Sequence, residues 1–279
     1  MNESSAKVHA TIHDHLVSKE TFQLLYDPEM EMLVTDPVPD DLAKYYESDA
    51  YISHTDSKKG LIPFLYQTVK SYSLHRKERL IRTENNKAGS LLDIGAGTAD
   101  FLSLCKIRGW EISGVEINPG ARKLAAEKGV NLLQELSEVE NTYDVITLWH
   151  VLEHLPNLKE ITKRLEELLK PGGTLLIAVP NFNSFDATYY KEYWAAYDVP
   201  RHLWHFSRGS MKKLFSSSMK LKSMKPMIFD AFYVSLLSEK YKSGSSFSLK
   251  AFWIGLRSNY AAVTTKEYSS IIYVFKNTK

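Results

Sequence analysis

Residues 91–102 read LLDIGAGTADFL. A short apolar run meets a turn with two glycines, and a helix-forming stretch follows directly. Gly95 and Gly97 permit positive φ or close approach of a ligand to the backbone. The turn feeds a helix N-terminus, which carries free N–H groups and the positive end of the helix dipole. A dinucleotide fingerprint needs a third glycine, but Asp100 stands in that place, and a carboxylate there would face a pyrophosphate. The next apolar run, WEISGVEI, ends at Glu116, about twenty residues beyond the loop, where an acid can accept both hydroxyls of a ribose. Loop and acid together favour an adenosine ligand without phosphates over NAD. The bland alternative is a tight turn and a surface glutamate.

Working outward, strand-like and helix-like stretches alternate. SLLDI, WEISGVEI, VNLLQ, YDVITLWHV and TLLIAVP read as strands. TADFLSLCKIRG, PGARKLAAEKG and NLKEITKRLEELLKPGG read as helices. Leu158, Ile161, Leu165, Leu168 and Leu169 share a face of the last, and Asn157 with Glu160 has capping-box spacing. Such alternation predicts an α/β fold, a doubly wound and mostly parallel sheet covered on both faces. Residues 61–82 read as a helix. Residues 1–60, rich in His, Tyr, Asp and Pro, read as loops and short elements. Towards the C-terminus, FSRGSMKKLFSSS reads as helical, MKPMIFDAF as a sixth strand and SSIIYVFKN as a seventh, with two helices between those strands.

Composition sets the frame. Thirty-five basic and 33 acidic residues leave a net charge of +2, and hydrophobic residues make up 44% of 279. That is a globular composition without the strong basic excess of a nucleic-acid binder. The single Cys105 excludes an intramolecular disulfide and a Cys-rich zinc site, and reads as core filler. No apolar run is long enough to span a membrane, and the polar first residues do not read as a signal peptide. The expected location is the cytoplasm.

LLDIGAGTADFL, GVEIN, YDVITLWHVLEHL and LKPGGTLLIAVPN resemble, in order and spacing, the successive motifs of class I S-adenosylmethionine-dependent methyltransferases. The resemblance covers about residues 85–180. It implies a Rossmann-like sheet of seven strands with the last antiparallel, S-adenosylmethionine as cofactor, and methyl transfer as the activity. On its terms Asp93, Gly95, Ala96 and Gly97 hold the methionine end and ribose, Glu116 is the ribose acid, Ile117 and Asn118 flank the adenine, and Trp149 and His150 lie at the fourth strand tip. The implied organisation is an N-terminal cap with a helix over 1–82 and a methyltransferase domain over 83–279, with insertions 181–206 and 231–266 covering the acceptor site.

Methyl transfer from a sulfonium needs alignment and exclusion of water, and a hydroxyl acceptor often also needs a base. WHVLEHLPN offers His150, Glu153 and His154 at helical spacing. His154 can act as general base beside Glu153; the three can bind a divalent ion; or His154 can be structural. Ubiquinone-pathway O-methyltransferases resemble this chain here and use an E-x-x-E-H arrangement for a metal, whereas this chain has His150 first, so no metal is assigned. H-x-x-E-H also matches a zinc-protease pattern, but that pattern needs a helix. The insertion carries DVPRHLWHFS, which resembles a string in bacterial methyltransferases of sugar and polysaccharide pathways. Asp198, Arg201, His202 and His205 are its candidate substrate residues; alternatively Asp198 and Arg201 pair to fix the loop. Tyr45, Tyr46, Tyr51 and His54 either line the acceptor pocket or form an aromatic docking surface. His13 and His15 read as ordinary surface, and HRKERLIR as a solvated helix face.

The expected function is methyl transfer to a small molecule, a sugar or carrier-linked metabolite, at oxygen, with no nucleic acid or membrane partner. An RNA or protein methyltransferase and an inactive adenosine-ligand-binding module are the alternatives. The sequence carries no sign of oligomeric state.

Overall fold

A computed structural model of the chain describes residues 7–46, 61–245 and 248–279, with backbone alone for 61–68. Tyr51 and His54 lie outside the described residues. Among the described residues, ten strands form two sheets. The main sheet contains β4 (Ser90–Ile94), β5 (Glu111–Val115), β6 (Tyr143–Trp149), β7 (Leu169–Pro180), β9 (Met219–Pro226) and β10 (Ser270–Asn277), in the order β5-β4-β6-β7-β10-β9. β5, β4, β6 and β7 run parallel, and β10 is antiparallel to both its neighbours. The doubly wound expectation and the antiparallel last strand hold. Six strands are described rather than seven: VNLLQ contributes only an isolated bridge, Leu133 to Val115. The strand expected at MKPMIFDAF lies earlier, at MKLKSMKP, and IFDAF leads into a helix.

Residue alternation on these strands builds a core on each face. Leu92, Ile94, Ile146, Leu148, Leu175 and Ile177 face one side, where α4 (Leu158–Leu168) brings Leu158, Leu165 and Leu168. Asn157 sits at the start of α4 without a side-chain cap, so the expected capping box is absent. Leu91, Val145, Leu176 and Val274 face the other side. There they meet Ile81 of α1 (Leu61–Asn85), Phe101, Leu102 and Cys105 of α2 (Asp100–Ile107), and Ala125 of α3 (Pro119–Glu127).

The N-terminal region is more regular than its sequence texture suggested. β1 (Lys7–His13), β2 (Thr21–Asp27) and β3 (Met32–Asp36) form an antiparallel meander, and β8 (Trp204–His205) from the 181–206 insertion adds a fourth strand beside β3. Phe22 and Leu24, alternating with exposed neighbours, point into a third core with Trp194, Tyr197 and Val199 of the insertion. The first three strands and residues 194–205 therefore share one sheet and one core. Val234 of α7 (Asp230–Ser243) and Ile254 of α8 (Leu249–Thr265) join this core. α5 (Phe185–Tyr190) and α6 (Arg208–Lys213) complete the helices described.

Candidate functional site

The glycine loop leaves the tip of β4 between two β5 contacts. The N–H groups of Gly95 and Ala96 donate to the carbonyl of Val115 at 2.8 and 3.0 Å. Gly95 has φ of +69°, and a Cβ there would meet Val151 Cγ2 at 2.4 Å. Gly97 has φ of +54°, and a Cβ there would meet nothing within 4 Å, so the loop opens at this point onto free space. Gly97 N–H donates to Glu116 Oε2 and Asn118 N–H to Glu116 Oε1, both at 2.8 Å. Two backbone donors fix the carboxylate at the strand tip while lone pairs remain for other hydrogen bonds. Ile117 is 77% exposed beside it. The Asn118 side chain also caps α3 by accepting from Ala121 N–H. Asp100 is held by Lys70 at 2.7 Å and Lys128 at 2.6 Å.

Beneath the loop, Asp93 is buried and accepts from the hydroxyl of Thr147, its register partner on β6, at 2.6 Å. Burial pushes the Asp93 carboxyl up to about 7, against the opposing pull of Thr147 and Lys77. Lys77 of α1 lies 4.4 Å from the ring centroid of Trp149. Burial lowers its pKa, and the charges of Asp93 and Asp230 act in the opposite sense. Sequence reading assigned Lys77 to a solvated face and did not single out Thr147 or Asp230.

His150, at the tip of β6, has φ of +58°. Its Nε2 lies 3.0 Å from Asp230 and its Nδ1 3.5 Å from Glu153. Desolvation alone would lower its pKa, but the two acids outweigh it and raise it to about 9. His150 is thus engaged by Asp230, and the trio His150, Glu153, His154 is not a common ligand set. Glu153 is 1% exposed, and neither of its carboxylate oxygens has a hydrogen bond. Burial pushes its carboxyl upward, yet His150 and the neighbouring imidazoles bring it below the ordinary value.

His154 and His202 meet edge to face with ring centroids 4.5 Å apart. Nδ1 of His154 lies 3.0 Å from the carbonyl oxygen of Arg201 and 3.1 Å from the Tyr46 hydroxyl; Nδ1 of His202 lies 2.9 Å from the carbonyl of Ala196. A carbonyl only accepts, so in the neutral rings Nδ1 carries the proton and Nε2 keeps the lone pair. Burial, then repulsion from His202, lowers the His154 pKa to about 4. Glu153, His154 and His202 present ligating atoms within 4.8 Å of one another. Spacing in sequence brings the first two together; only the fold brings His202, on the returning insertion.

The other members of the insertion string serve the architecture. Arg201 is 1% exposed and donates to Asp198, to Asp14 and to the carbonyl of Tyr45. This corrects the substrate-clamp reading: the guanidinium joins cap to insertion, with Asp198 as its loop partner. His205 is buried in β8, with Nε2 3.0 Å from the Thr35 hydroxyl, which itself donates to the carbonyl of His202. His205 therefore belongs to the cap sheet rather than to a substrate surface. Of the tyrosines, Tyr46 reaches the His154 side, while Tyr45 is buried and donates to Glu20.

A sequence profile of the methyltransferase domain matches residues 67–218, just over half of the chain. The chain belongs to this family. By motif order and fold it is a class I S-adenosylmethionine-dependent methyltransferase, with that donor as cofactor. The open space at Gly97, the carboxylate of Glu116 and the exposed Ile117 fit an adenosine ligand. This methyltransferase is 28% identical over 125 residues to the sterol 4-C-methyltransferase strm-1 of Caenorhabditis elegans, covering 40% of this chain and 36% of that one. It is 30% identical over 104 residues to the ubiquinone biosynthesis O-methyltransferase of Aeromonas salmonicida, covering 33% and 44%. The chain thus matches less than half the length of either relative. The magnesium protoporphyrin IX methyltransferase of Synechocystis shares its fold, with a TM-score of 0.51 at 12% identity, covering 84% of this chain and 93% of that one. No helix among the described residues is long and apolar enough to cross a membrane.

Proposed function

We propose that the protein methylates a small molecule, at oxygen, with Glu153 and His154 at the reacting end. The observation that carries this reading is the Glu153 carboxylate, buried and without a hydrogen bond, within 4.8 Å of a ring nitrogen of His154. A buried acceptor without a hydrogen bond is costly unless a ligand donor meets it. A hydroxyl of the acceptor is a donor of the right chemistry. Asp93, Gly95, Ala96, Gly97, Glu116, Ile117 and Trp149 hold the donor, which supplies an electrophilic methyl group when bound. Asn118 adds the helix cap that sets the loop tip. His150, pinned by Asp230, sets the angle at which Glu153 presents its carboxylate.

The depressed pKa keeps His154 neutral at physiological pH but leaves it a weak proton acceptor. Its first role is therefore to orient the hydroxyl together with Glu153. The burial of Glu153 and His202 under the cap supports a small acceptor, since a macromolecule would need an exposed approach. The names of the ubiquinone and sterol relatives support the same class. The motif resemblance of the insertion supports a sugar or carrier-linked metabolite.

The test is incubation of the protein and S-adenosylmethionine with an acceptor panel of hydroxylated sugars, quinols and carrier-linked metabolites, read by product mass. A product heavier by one methyl, lost on Glu153→Gln, is expected. Methylation of RNA or protein, with none of any small acceptor, would overturn the reading.

A further inference from the structure

We propose that Glu153, His154 and His202 form a binding site for one divalent transition-metal ion. Three observations converge on it. Their ligating atoms lie within 4.8 Å of one another, and the two imidazoles come from segments almost fifty residues apart in sequence that the fold packs edge to face. Each imidazole has its Nδ1 against a backbone carbonyl, which fixes ring orientation and leaves Nε2 for a ligand, the second contact that metal-binding histidines commonly make. The Glu153 carboxylate, 1% exposed, has no hydrogen bond to either oxygen.

Taken together, lone pairs of a carboxylate and two imidazoles converge with no donor among the three. The nearest basic nitrogen outside the cluster, His150 Nδ1, stands 3.5 Å from Glu153 and is shared with the Asp230 pairing of that ring. A cation bonded to all three satisfies them at once. Two imidazoles and one carboxylate suit zinc, cobalt, manganese or iron better than magnesium or calcium, which prefer oxygen. Donor atoms around such an ion stand ~3.4 Å apart at bond lengths of ~2.1 Å, so closing the set takes a modest turn of the Glu153 side chain away from its 3.5 Å contact with His150. Asp198 Oδ2, 4.0 Å from His202 Nε2, is the nearest further oxygen.

Three protein ligands leave a position open. For the role of the ion, though not for its binding, the inference rests on the acceptor reading above. An acceptor hydroxyl on the open position gives up its proton to water more readily, its oxygen keeping the electron pair, and no strong base is needed.

The test is titration of chelator-treated protein with Co2+, followed by its visible absorption and by metal analysis after dialysis. One equivalent with nitrogen–oxygen coordination bands is expected, with affinity reduced at least tenfold in His202→Ala and in Glu153→Gln, and retained in His13→Ala. Failure to saturate, or binding indifferent to both Glu153→Gln and His202→Ala, would overturn the proposal. If His202→Ala lacks a cooperative melt, Glu153→Gln carries the same prediction alone. Binding of S-adenosylhomocysteine is measured on the same samples. Co2+ binding without it would break the methyltransferase reading while supporting the metal site, and the converse would do the opposite.

Discussion

The backbone N–H of Gly97 donates to Oε2 of Glu116 at 2.8 Å, tying the glycine loop to the tip of the next strand. On the proposed reading, donor binding depends on this carboxylate twice: as the acceptor for the ribose hydroxyls and as the brace of the loop beside it. Glu116→Ala is expected to weaken S-adenosylhomocysteine by about 10- to 100-fold, the loss of one or two hydrogen bonds to a charged group. Glu116→Gln, which keeps one acceptor oxygen, should fall between. Calorimetric titration of the two variants checks this, and equal affinities for wild type and Glu116→Ala would refute it.

Gly95 and Val151 make a second pair. A Cβ on Gly95 would stand 2.4 Å from Val151 Cγ2, at a φ that favours glycine. Gly95→Ala should cost about 1–2 kcal/mol for the left-handed backbone and about 1–3 kcal/mol for overpacking. Val151→Ala in the same chain should recover the packing part and not the backbone part. Denaturant unfolding of the single and double variants separates the two; no recovery in the double variant would rule out the steric account.

The buried Asp14–Arg201 pair should contribute to acid stability. Desolvation pushes the Asp14 carboxyl upward, but its hydrogen bond and charge interaction with Arg201, with backbone donors, bring it from 3.8 down to about 2. A carboxyl with a depressed folded pKa contributes stability above its unfolded pKa and loses it as pH falls. The contribution should be complete above pH ~4 and should fade towards pH ~2. Arg201→Ala removes the counter-charge of buried Asp14, leaving it only its donors from residues 16–18, and should cost about 3–5 kcal/mol at neutral pH. Melting curves from pH 2 to 7 test both, and a wild-type melt flat across that acid window would contradict the assignment.

Much of this was legible because local patterns carried it. The strand–loop–helix of 91–102 and the acid at Glu116 depend on neighbours in sequence, and the βα alternation sets parallel strands by short-range periodicity. What was not legible depends on contacts between distant segments. His202 reaches Glu153 and His154 only because the insertion returns as β8 beside β3. Residues 1–60 read as loops and short elements, and the alternation of Phe22 and Leu24 on β2 went unused because the aromatic and proline-rich texture around it masked the period. Lys77 sits in a basic helical run that looks solvated, and only the packing of α1 against the sheet sets its ammonium over Trp149. Arg201 looked like a clamp because guanidinium groups suit anions, and its use depended on Asp14, far away in sequence.

The methyl donor is expected to bind at the glycine loop around Gly97 and the carboxylate of Glu116. Calorimetric titration of the protein with S-adenosylmethionine and S-adenosylhomocysteine tests it most directly. Saturable one-to-one binding of both in the micromolar range is the predicted result. No heat from either, with binding of NAD in their place, would contradict the account.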